Sequence, residues 1–540
     1  MTKEMTIEIK KPLPIIVLTI LTAVFVLEVM LGLRTTISFG DEGFHTRLAQ
    51  WIAEEREIPE YVPFVGSDLE RGGFHRPPLW NILEGSFFFI FGVSDVVPKV
   101  LTPFVALVLG ISTFVLARKV FDEMTSFFST IITITAPAIV TYSVLYYVDM
   151  LFTLYLNAFF LTLILAVRDK NSKYWIISSI FGSLAILTKA PGLAVFPIFG
   201  LLFIYEIAFK RKDFKFNNYL VAGVMIFLLT ATFFIRNYAV YGDFLCREGY
   251  SVSENNICNI DNFENKYEFE KRTTEEGTEI DIFRFGLMNY IMFAYGSVWL
   301  IIFGLIAGVI MFIMGNKGEA KVILFAVFLT LFVFILPSST LRAEDTSRYT
   351  LGWLPIIAVI SGLYFSEAYR FIKSHEKDMA IMKFVALIVI LYVGFFAYKN
   401  FSEKLIGLKP VKTFSNSFFQ ACNFIKQNTS EDALLLTVWS YRTAYNCQRS
   451  AVGSVADIEL SKDLNYTLDV AKMLKVTHIF IQKFSLSQSE DMSEKYPISF
   501  VQFMEDNPAH FVKIYENGPP LNQCLTQGLC DGNIVYEIKY

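Results

Sequence analysis

Two adjacent carboxylates, Asp41 and Glu42, follow the first long apolar segment of the chain, Pro14–Leu33. About 20 apolar residues are enough to cross the ~30 Å hydrocarbon core of a bilayer, so the pair lies where the chain reaches the far surface of a membrane. Two neighbouring carboxylates contribute nothing to packing there. A carboxylate at this surface is suited to take a proton from a hydroxyl group, which predicts general-base chemistry on a lipid-linked substrate.

Four further ionisable residues lie at the outer ends of apolar segments: Asp149, Lys189, Arg236 and Arg348. A carboxylate at this depth is costly unless it is paired or hydrated, and ammonium and guanidinium groups bind phosphate oxygens. The alternatives are a helix N-cap for Asp149, a snorkelling side chain for Lys189 and interfacial anchoring for the two arginines. The residue types together favour a phosphate-binding site.

The polar segment 34–97 contains another candidate pair, His75 and Arg76, directly before two prolines. Residues 44–57 have a helical pattern with one apolar side, and residues 79–93 are a shorter apolar run. Both are predicted to be helices at the membrane surface. The alternative is an ordinary surface loop with a proline turn, but acid, imidazole and guanidinium groups beside a lipid face favour a functional loop.

Of the 540 residues, 54% are hydrophobic and 18% are charged. This composition is too apolar for a soluble protein, so membrane helices are expected to position the candidate residues. With a cytoplasmic N-terminus and about eleven transmembrane helices, every short inside loop is basic, as the positive-inside rule expects. The net charge of −4 argues against a nucleic-acid partner. The predicted spans are 14–33, 98–117, 125–146, 150–167, 174–189, 191–209, 217–238, 286–314, 321–337, 349–369 and 382–398.

The predicted fold is thus a polytopic α-helical membrane protein, with a membrane domain over residues 1–398 and a small extracytoplasmic α/β domain over residues 399–540. The outer loops of the membrane domain are 34–97 and 239–285. All six cysteines lie in the second loop or in the C-terminal domain, which predicts disulfides on the oxidising side. Cys246–Cys258 and Cys524–Cys530 are candidate local pairs, and the connectivity stays open.

In the C-terminal domain, apolar runs predict four strands and two helices. The strands are predicted at 433–439, 478–482, 511–515 and 534–540, and the helices at 415–428 and 463–475. The sequence contains no Walker loop, no GxGxxG followed by a helix in a βαβ unit and no Gly-x-Ser-x-Gly elbow, so ATP-driven work, hydride transfer and serine hydrolysis lack support. It also contains no CxxC pair. Five scattered histidines do not form a strong metal signature.

The order of these residues resembles that of the C-type glycosyltransferase superfamily (GT-C), in particular the dolichyl-phosphate-mannose protein mannosyltransferases and the bacterial aminoarabinose transferases that modify lipid A. The resemblance covers about residues 10–370. It rests on the acidic pair, His-Arg-Pro-Pro-Leu at 75–79, Asp149 at an outer hairpin, Leu-Thr-Lys-Ala-Pro-Gly at 187–192, Arg-Asn-Tyr at 236–238 and Ser-Arg-Tyr at 347–349. Relatives often have Lys-Gly-Pro in place of Lys-Ala-Pro, and His-Pro-Pro or Tyr-Pro-Pro in place of His-Arg-Pro-Pro.

This resemblance implies an inverting glycosyltransferase of the cell membrane, or of the endoplasmic reticulum in a eukaryote. Such an enzyme passes a hexosyl or pentosyl group from a polyprenyl-phosphate donor to an acceptor protein, lipid or glycan on the extracytoplasmic face. The implied catalytic residues are Asp41 as general base, Glu42 as its support and Asp149 in the lining of the same cavity. Lys189, Arg236 and Arg348 are implied to bind the donor phosphate, and His75 and Arg76 to belong to an acceptor loop. No cofactor is required; a divalent cation, Mg²⁺ or Mn²⁺, held by Asp41, His75 and Asp149 is the alternative.

Three other classes of protein compete with this interpretation. A polytopic transporter or lipid-linked sugar flippase would share the spans, but would carry charged or broken helices near the bilayer midplane, whereas the ionisable residues here cluster at one face. An oligosaccharyltransferase would carry a Trp-Trp-Asp motif in its soluble domain, where this chain has Val438-Trp439-Ser440-Tyr441. A non-catalytic scaffold leaves the acidic pair unexplained.

Overall fold

The computed structural model describes residues 13–34, 40–60, 76–209, 215–242, 244, 348, 351–373, 391, 395, 399, 416–453, 456–459, 461–487, 496–520, 523 and 531–540. These residues belong to two compact units. The first draws on Met1–Leu33, Lys99–Phe233 and Thr278–Leu408, and the second on Arg34–Pro98, Phe234–Gly277 and Lys409–Tyr540. The second unit therefore combines segments from both sides of residue 398, where the sequence predicts a domain boundary. The placement of the two predicted domains relative to the membrane stays a prediction.

Most of the described chain is helical. The helices are α1 (Leu13–Gly32), α2 (Gly40–Glu55), α3 (Leu79–Phe91), α4 (Val96–Val120), α5 (Glu123–Thr135), α6 (Pro137–Val144), α7 (Asp149–Asp169), α8 (Ser172–Thr188), α9 (Val195–Phe209), α10 (Phe216–Tyr241), α11 (Leu354–Lys373), α12 (Asn416–Asn428), α13 (Ser440–Cys447), α14 (Ala456–Glu459), α15 (Leu464–Met473) and α16 (Ile498–Asp506). The strands are β1 (Leu434–Leu436), β2 (Ser450–Val452), β3 (His478–Gln482), β4 (Leu486–Ser487), β5 (Tyr496–Pro497), β6 (Phe511–Asn517) and β7 (Asn533–Ile538).

Within the described residues, five helices are long and apolar enough to cross a membrane: α1, α4, α7, α10, and α9 together with the 3₁₀ turn before it. They correspond to five of the predicted spans. The bent pair α5–α6 makes a sixth if it is counted as one span. Helices α8 and α11 lie where spans 174–189 and 349–369 are predicted. The predicted spans 286–314 and 321–337 lie outside the described residues, as does nearly all of 382–398.

The span predicted at 125–146 is broken rather than continuous. Helices α5 and α6 meet at Ala136 with a bend of 59°. Pro137 disfavours the helical conformation of the residue before it, and Ala136 is extended, with φ −60° and ψ 127°. Pro137 then occupies the first position of α6, where a missing N–H costs little. Helix α5 packs closely on α11, since a Cβ at Gly362 would lie 2.7 Å from the Ser129 backbone nitrogen.

The second unit contains a five-stranded sheet in the order β2-β1-β3-β7-β6. Strands β1, β2 and β3 pair in parallel, and β7 is antiparallel to both β3 and β6. Strands occur at all four predicted runs, and α12 and α15 occur where helices are predicted. Because side chains alternate across a strand, Leu434 and Leu436 pack on one face with α15 and α16, whereas Leu435 packs on the other with α12 and α13.

A disulfide between Cys422 and Cys447 joins α12 to the end of α13. The prediction that the chain contains disulfides is therefore confirmed. The candidate local pairs Cys246–Cys258 and Cys524–Cys530 lie outside the described residues.

Helix α2 differs from its prediction in both extent and environment. It begins at Gly40, so Asp41 and Glu42 belong to its first turn. Its apolar side does not face lipid, because Phe44 and Leu48 are buried in the same core as α12 and α13. Its other side packs on α3, where a Cβ at Gly85 would lie 2.9 Å from the Ala49 carbonyl oxygen. The amphipathic pattern alone could not distinguish a lipid surface from a protein surface.

Buried polar side chains lie in the contact between α2 and α3. Asn81 donates hydrogen bonds of 3.1 Å to the carbonyl oxygen and to the ring Nδ1 of His45. Glu84 is fully buried, and no hydrogen bond of normal geometry joins it to Thr46 or to any other described residue. Burial raises the pKa of Glu84 to about 8, and the nearby Thr46 hydroxyl offsets only part of that shift. Glu84 is therefore mainly protonated at pH 7.

We expect Glu84→Gln to remove a pH dependence of stability. Because the folded-state pKa lies near 8 and the ordinary value is 4.5, folding takes up a proton between these pH values, and wild-type stability falls as the pH rises through that range. The thermal unfolding midpoint in detergent should decline from pH 5 to pH 8.5 for wild type and decline less for Glu84→Gln. Exposed Glu431 provides the control: Glu431→Gln should follow wild type, and equal slopes for both variants would contradict the assignment.

Candidate functional site

A buried carboxylate with two cationic partners lies in the first unit. Asp149 is the first residue of α7 and its side chain is fully buried. Its Oδ1 accepts a hydrogen bond from Lys189 Nζ at 2.5 Å, and its Oδ2 accepts one from Arg348 Nε at 2.9 Å. Along the chain, Lys189 is 40 positions from Asp149 and Arg348 is 199 positions from it. The structure thus brings together three of the residues selected from the sequence.

The alternative role of Asp149 as a helix N-cap is not supported. Val148 occupies the N-cap position of α7, and no side chain caps the helix there. Both carboxylate oxygens instead bind cations. These ion pairs offset the free-energy cost of removing the charged carboxylate from water.

A tight chain reversal positions Lys189. This residue follows the last turn of α8 in extended conformation, and the 3₁₀ turn Ala190–Ala194 begins directly after it. A Cβ at Gly192 would lie 2.5 Å from the carbonyl oxygen of Ala185, so only glycine lets the chain fold back this closely on α8. The Lys189 side chain is 11% exposed and therefore does not snorkel to solvent.

An aromatic ring supports Arg348. The guanidinium carbon lies 4.4 Å from the centroid of the Tyr147 ring, a cation–π arrangement. Tyr147 is buried two residues before Asp149, so one short segment supplies both the carboxylate and the ring. No role for Tyr147 is predicted from the sequence, where its only signal is the pair of tyrosines before Asp149.

The charges of Asp149, Lys189 and Arg348 sum to +1. The ion pairs hold the two cationic side chains in fixed positions before any ligand binds. The same geometry makes Asp149 a poor metal ligand, because Lys189 and Arg348 already bind its two oxygens and would repel a divalent cation.

The other predicted site residues belong to the second unit. Asp41 is half-buried and Glu42 is buried, both in the first turn of α2, where the helix dipole favours negative charge. The Arg76 guanidinium lies 4.8 Å from the centroid of the Phe44 ring. Arg236 donates a hydrogen bond of 2.6 Å to the carbonyl oxygen of Pro59. Convergence of these residues with the Asp149 cluster in one pocket stays a prediction.

His75, the predicted acceptor-loop residue and alternative metal ligand, lies outside the described residues. In the part of the chain that the structure describes, no three His, Cys, Asp or Glu side chains form a group that could hold a metal ion.

Residues 75–235 match the family model described as dolichyl-phosphate-mannose-protein mannosyltransferase. The match includes Arg76, Asp149 and Lys189, whereas Asp41, Arg236 and Arg348 lie outside it. A comparison with curated protein sequences found no match.

Several solved structures share the fold of the chain. The archaeal oligosaccharyltransferase AglB from Archaeoglobus fulgidus, in complex with an inhibitory peptide and a dolichol-phosphate, matches with a TM-score of 0.64 and 12% identity over 88% of this chain and 70% of that one. ArnT from Cupriavidus metallidurans, bound to undecaprenyl phosphate, matches with a TM-score of 0.56 and 12% identity over 97% of each chain. The arabinofuranosyltransferase AftD from Mycobacteria matches with a TM-score of 0.57 and 10% identity over 97% of this chain, which spans 40% of that one.

The chain therefore has the fold of the GT-C membrane glycosyltransferases, and the resemblance predicted from the sequence is confirmed. Within that class, its matched segment is similar to the dolichyl-phosphate-mannose protein mannosyltransferases.

We expect Asp149→Asn to destabilise the protein strongly. The substitution removes the carboxylate that compensates two buried cations, and breaking a buried ion pair from one side costs about 3–5 kcal/mol. Unfolding in detergent, followed by tryptophan fluorescence, measures the loss. Asp169→Asn is the control, because Asp169 pairs with Arg168 at the surface, where ion pairs contribute little. Similar stabilities of the two variants would contradict the role of Asp149.

Proposed function

We propose that the protein is an inverting, membrane-embedded glycosyltransferase. It takes a sugar from a polyprenyl-phosphate donor and transfers it to a hydroxyl group of an acceptor protein, lipid or glycan on the extracytoplasmic face. The observation that carries the proposal is the buried cluster of Asp149, Lys189 and Arg348 in a chain with the GT-C fold.

The compounds bound to the structural neighbours support the donor class. AglB was solved with a dolichol-phosphate and ArnT with undecaprenyl phosphate. The description of the matching family names dolichyl-phosphate mannose. These compounds share a phosphate on a long polyprenyl chain. A donor of that class places its phosphate at the rim of the membrane and its prenyl chain in the lipid, which suits cations at the ends of apolar helices.

In the proposed reaction, Lys189 and Arg348 bind the donor phosphate. The acceptor oxygen attacks the anomeric carbon while its proton passes to the Asp41 carboxylate. The bond between the anomeric carbon and the phosphate oxygen breaks, and polyprenyl phosphate leaves with the bonding electrons. Negative charge grows on that oxygen as the bond breaks, so fixed cations stabilise the transition state. A single displacement inverts the anomeric centre.

Supporting roles follow for the remaining residues. Asp149 acts as a positioning residue rather than a base, because both of its oxygens bind the two cations that it orients. Glu42 supports the orientation of Asp41, and Arg236 contributes a further phosphate contact. His75 and Arg76 belong to the acceptor loop. The mechanism uses no step through a metal ion.

A flippase or transporter of lipid-linked sugars is the second candidate. The observation that favours it is the broken span α5–α6, bent by 59°, because broken helices are typical of transporters.

Incubation of the purified protein with a panel of radiolabelled polyprenyl-phosphate sugars tests the proposal, with solubilised membrane proteins, lipids and glycans as acceptors. We expect one donor class to release polyprenyl phosphate and to yield a glycosylated product of inverted anomeric configuration. Heat-denatured protein is the control. Movement of intact donor across reconstituted vesicles, with no donor cleaved, would instead support the flippase.

The assigned roles predict effects on different kinetic constants, kcat for a substitution at Asp41 and donor KM for one at Lys189. Asp41→Asn removes the base and should lower kcat by about 100-fold or more, with an unchanged donor KM. Lys189→Ala removes a charge-assisted phosphate contact and should weaken donor binding by about 2 kcal/mol, roughly 30-fold in donor KM. Lys170→Ala, at an exposed lysine, should behave as wild type. Near-normal turnover by well-expressed Asp41→Asn would refute the base assignment.

A further inference from the structure

The first turn of α2 lies against the beginning of α13. A Cβ at Gly43 would lie 2.9 Å from the Tyr441 carbonyl oxygen and 3.1 Å from the Arg442 Cα. Both neighbours are backbone atoms, so a side chain at position 43 requires a shift of a helix rather than a change of rotamer. Gly43 is adjacent to Glu42 and two residues from Asp41. Contact with α13 therefore fixes the position of the turn that carries both carboxylates.

Aromatic contacts reinforce this junction. The Phe44 and Tyr441 rings pack edge to face, with ring centroids 5.1 Å apart, and Phe44 is 2% exposed. The Arg76 guanidinium lies over the same ring. Phe44 thus contacts both the C-terminal segment and the segment before the two prolines.

Helix α13 is itself held firmly. The disulfide Cys422–Cys447 attaches its last residue to α12, and Arg47 donates a hydrogen bond of 2.9 Å to Gln448 directly after it. Leu48 enters the core between α12 and α13. The helix that carries Asp41 therefore rests on a surface formed by residues 416–448, which the disulfide cross-links.

We propose that residues 416–448 position the general base, with Gly43, Phe44 and Tyr441 as positioning residues. This inference rests on the proposed function, in which Asp41 takes the acceptor proton. It gives the C-terminal segment a role in turnover that is separate from donor binding, because Lys189 and Arg348 belong to the other unit.

Gly43→Ala tests the proposal in the full-length protein. The added methyl group should displace the first turn of α2, and a misplacement of about 1 Å can cost ~100-fold in rate. We expect kcat for sugar transfer to fall on that scale with an unchanged donor KM. Gly200→Ala is the matched control, since this helical glycine has no neighbouring atom within 4 Å of an added Cβ, and it should retain wild-type kcat.

A pair of substitutions at Phe44 gives a second test that does not require a new Cβ contact. Phe44→Ala removes the ring that packs on Tyr441, whereas Phe44→Leu retains most of the apolar volume. We expect kcat to fall strongly for Phe44→Ala and to be largely restored in Phe44→Leu, with the donor KM constant in both. This pair decides the question if Gly43→Ala does not fold, as judged by gel filtration and the unfolding midpoint.

Hydrogen exchange provides a readout that is independent of activity. Amides at the start of α2 should exchange faster in Gly43→Ala than in Gly200→Ala. If the wild-type protein transfers no sugar from any donor but this difference is present, the proposed function fails and the contact between α2 and α13 stands. If the wild-type protein is active, the inference is overturned when Gly43→Ala and Phe44→Ala both keep the kcat of the wild-type protein. It is also overturned when the activity of these variants falls only in proportion to the amount of folded protein.

Discussion

The carboxylate of Asp149 is the constraint on which the first unit depends. Moving an ionised carboxylate out of water costs several kcal/mol unless cations and hydrogen bonds compensate it. Here the compensation comes from Lys189 after α8 and from Arg348 before α11. Helix α7, the reversal after α8 and the segment that leads to α11 must therefore meet at one point. The same contacts hold two cationic side chains in fixed positions, which the proposed binding of a donor phosphate requires.

Close backbone contacts place the charged residues of both units. Gly192 lets the chain after Lys189 fold back on α8, Gly85 lets α3 approach α2, and Gly43 lets α2 approach α13. At each of these glycines an added side chain would meet main-chain atoms of the neighbouring element. Contacts between main chains therefore set the positions of the elements that carry the charged residues. Functional groups on rigid elements keep their geometry better than groups on loops, which is what a site for charge stabilisation requires.

Two segments far apart in the sequence form one layer of the second unit. Helix α2 packs with α12 and α13 on one face of the five-stranded sheet. Arg47 and Gln448, which hydrogen-bond to each other across this contact, are 401 positions apart in the chain. The C-terminal segment is therefore part of the surroundings of the acidic pair. This arrangement connects the five-stranded sheet to the chemistry proposed for Asp41.

The sequence by itself determined features that depend on local pattern: five apolar spans, the four main strands, two of the C-terminal helices, and the residue types of the candidate site. Proline alone does not predict where a helix breaks. Pro103 lies inside the continuous helix α4, whereas Pro137 separates α5 from α6. Only the tertiary structure decided that Asp149 binds two cations, that Glu84 is buried without a partner among the described residues, and that the apolar side of α2 faces protein. These outcomes depend on neighbours tens to hundreds of residues away, and periodicity along the chain carries no information about which distant residue fills a given space.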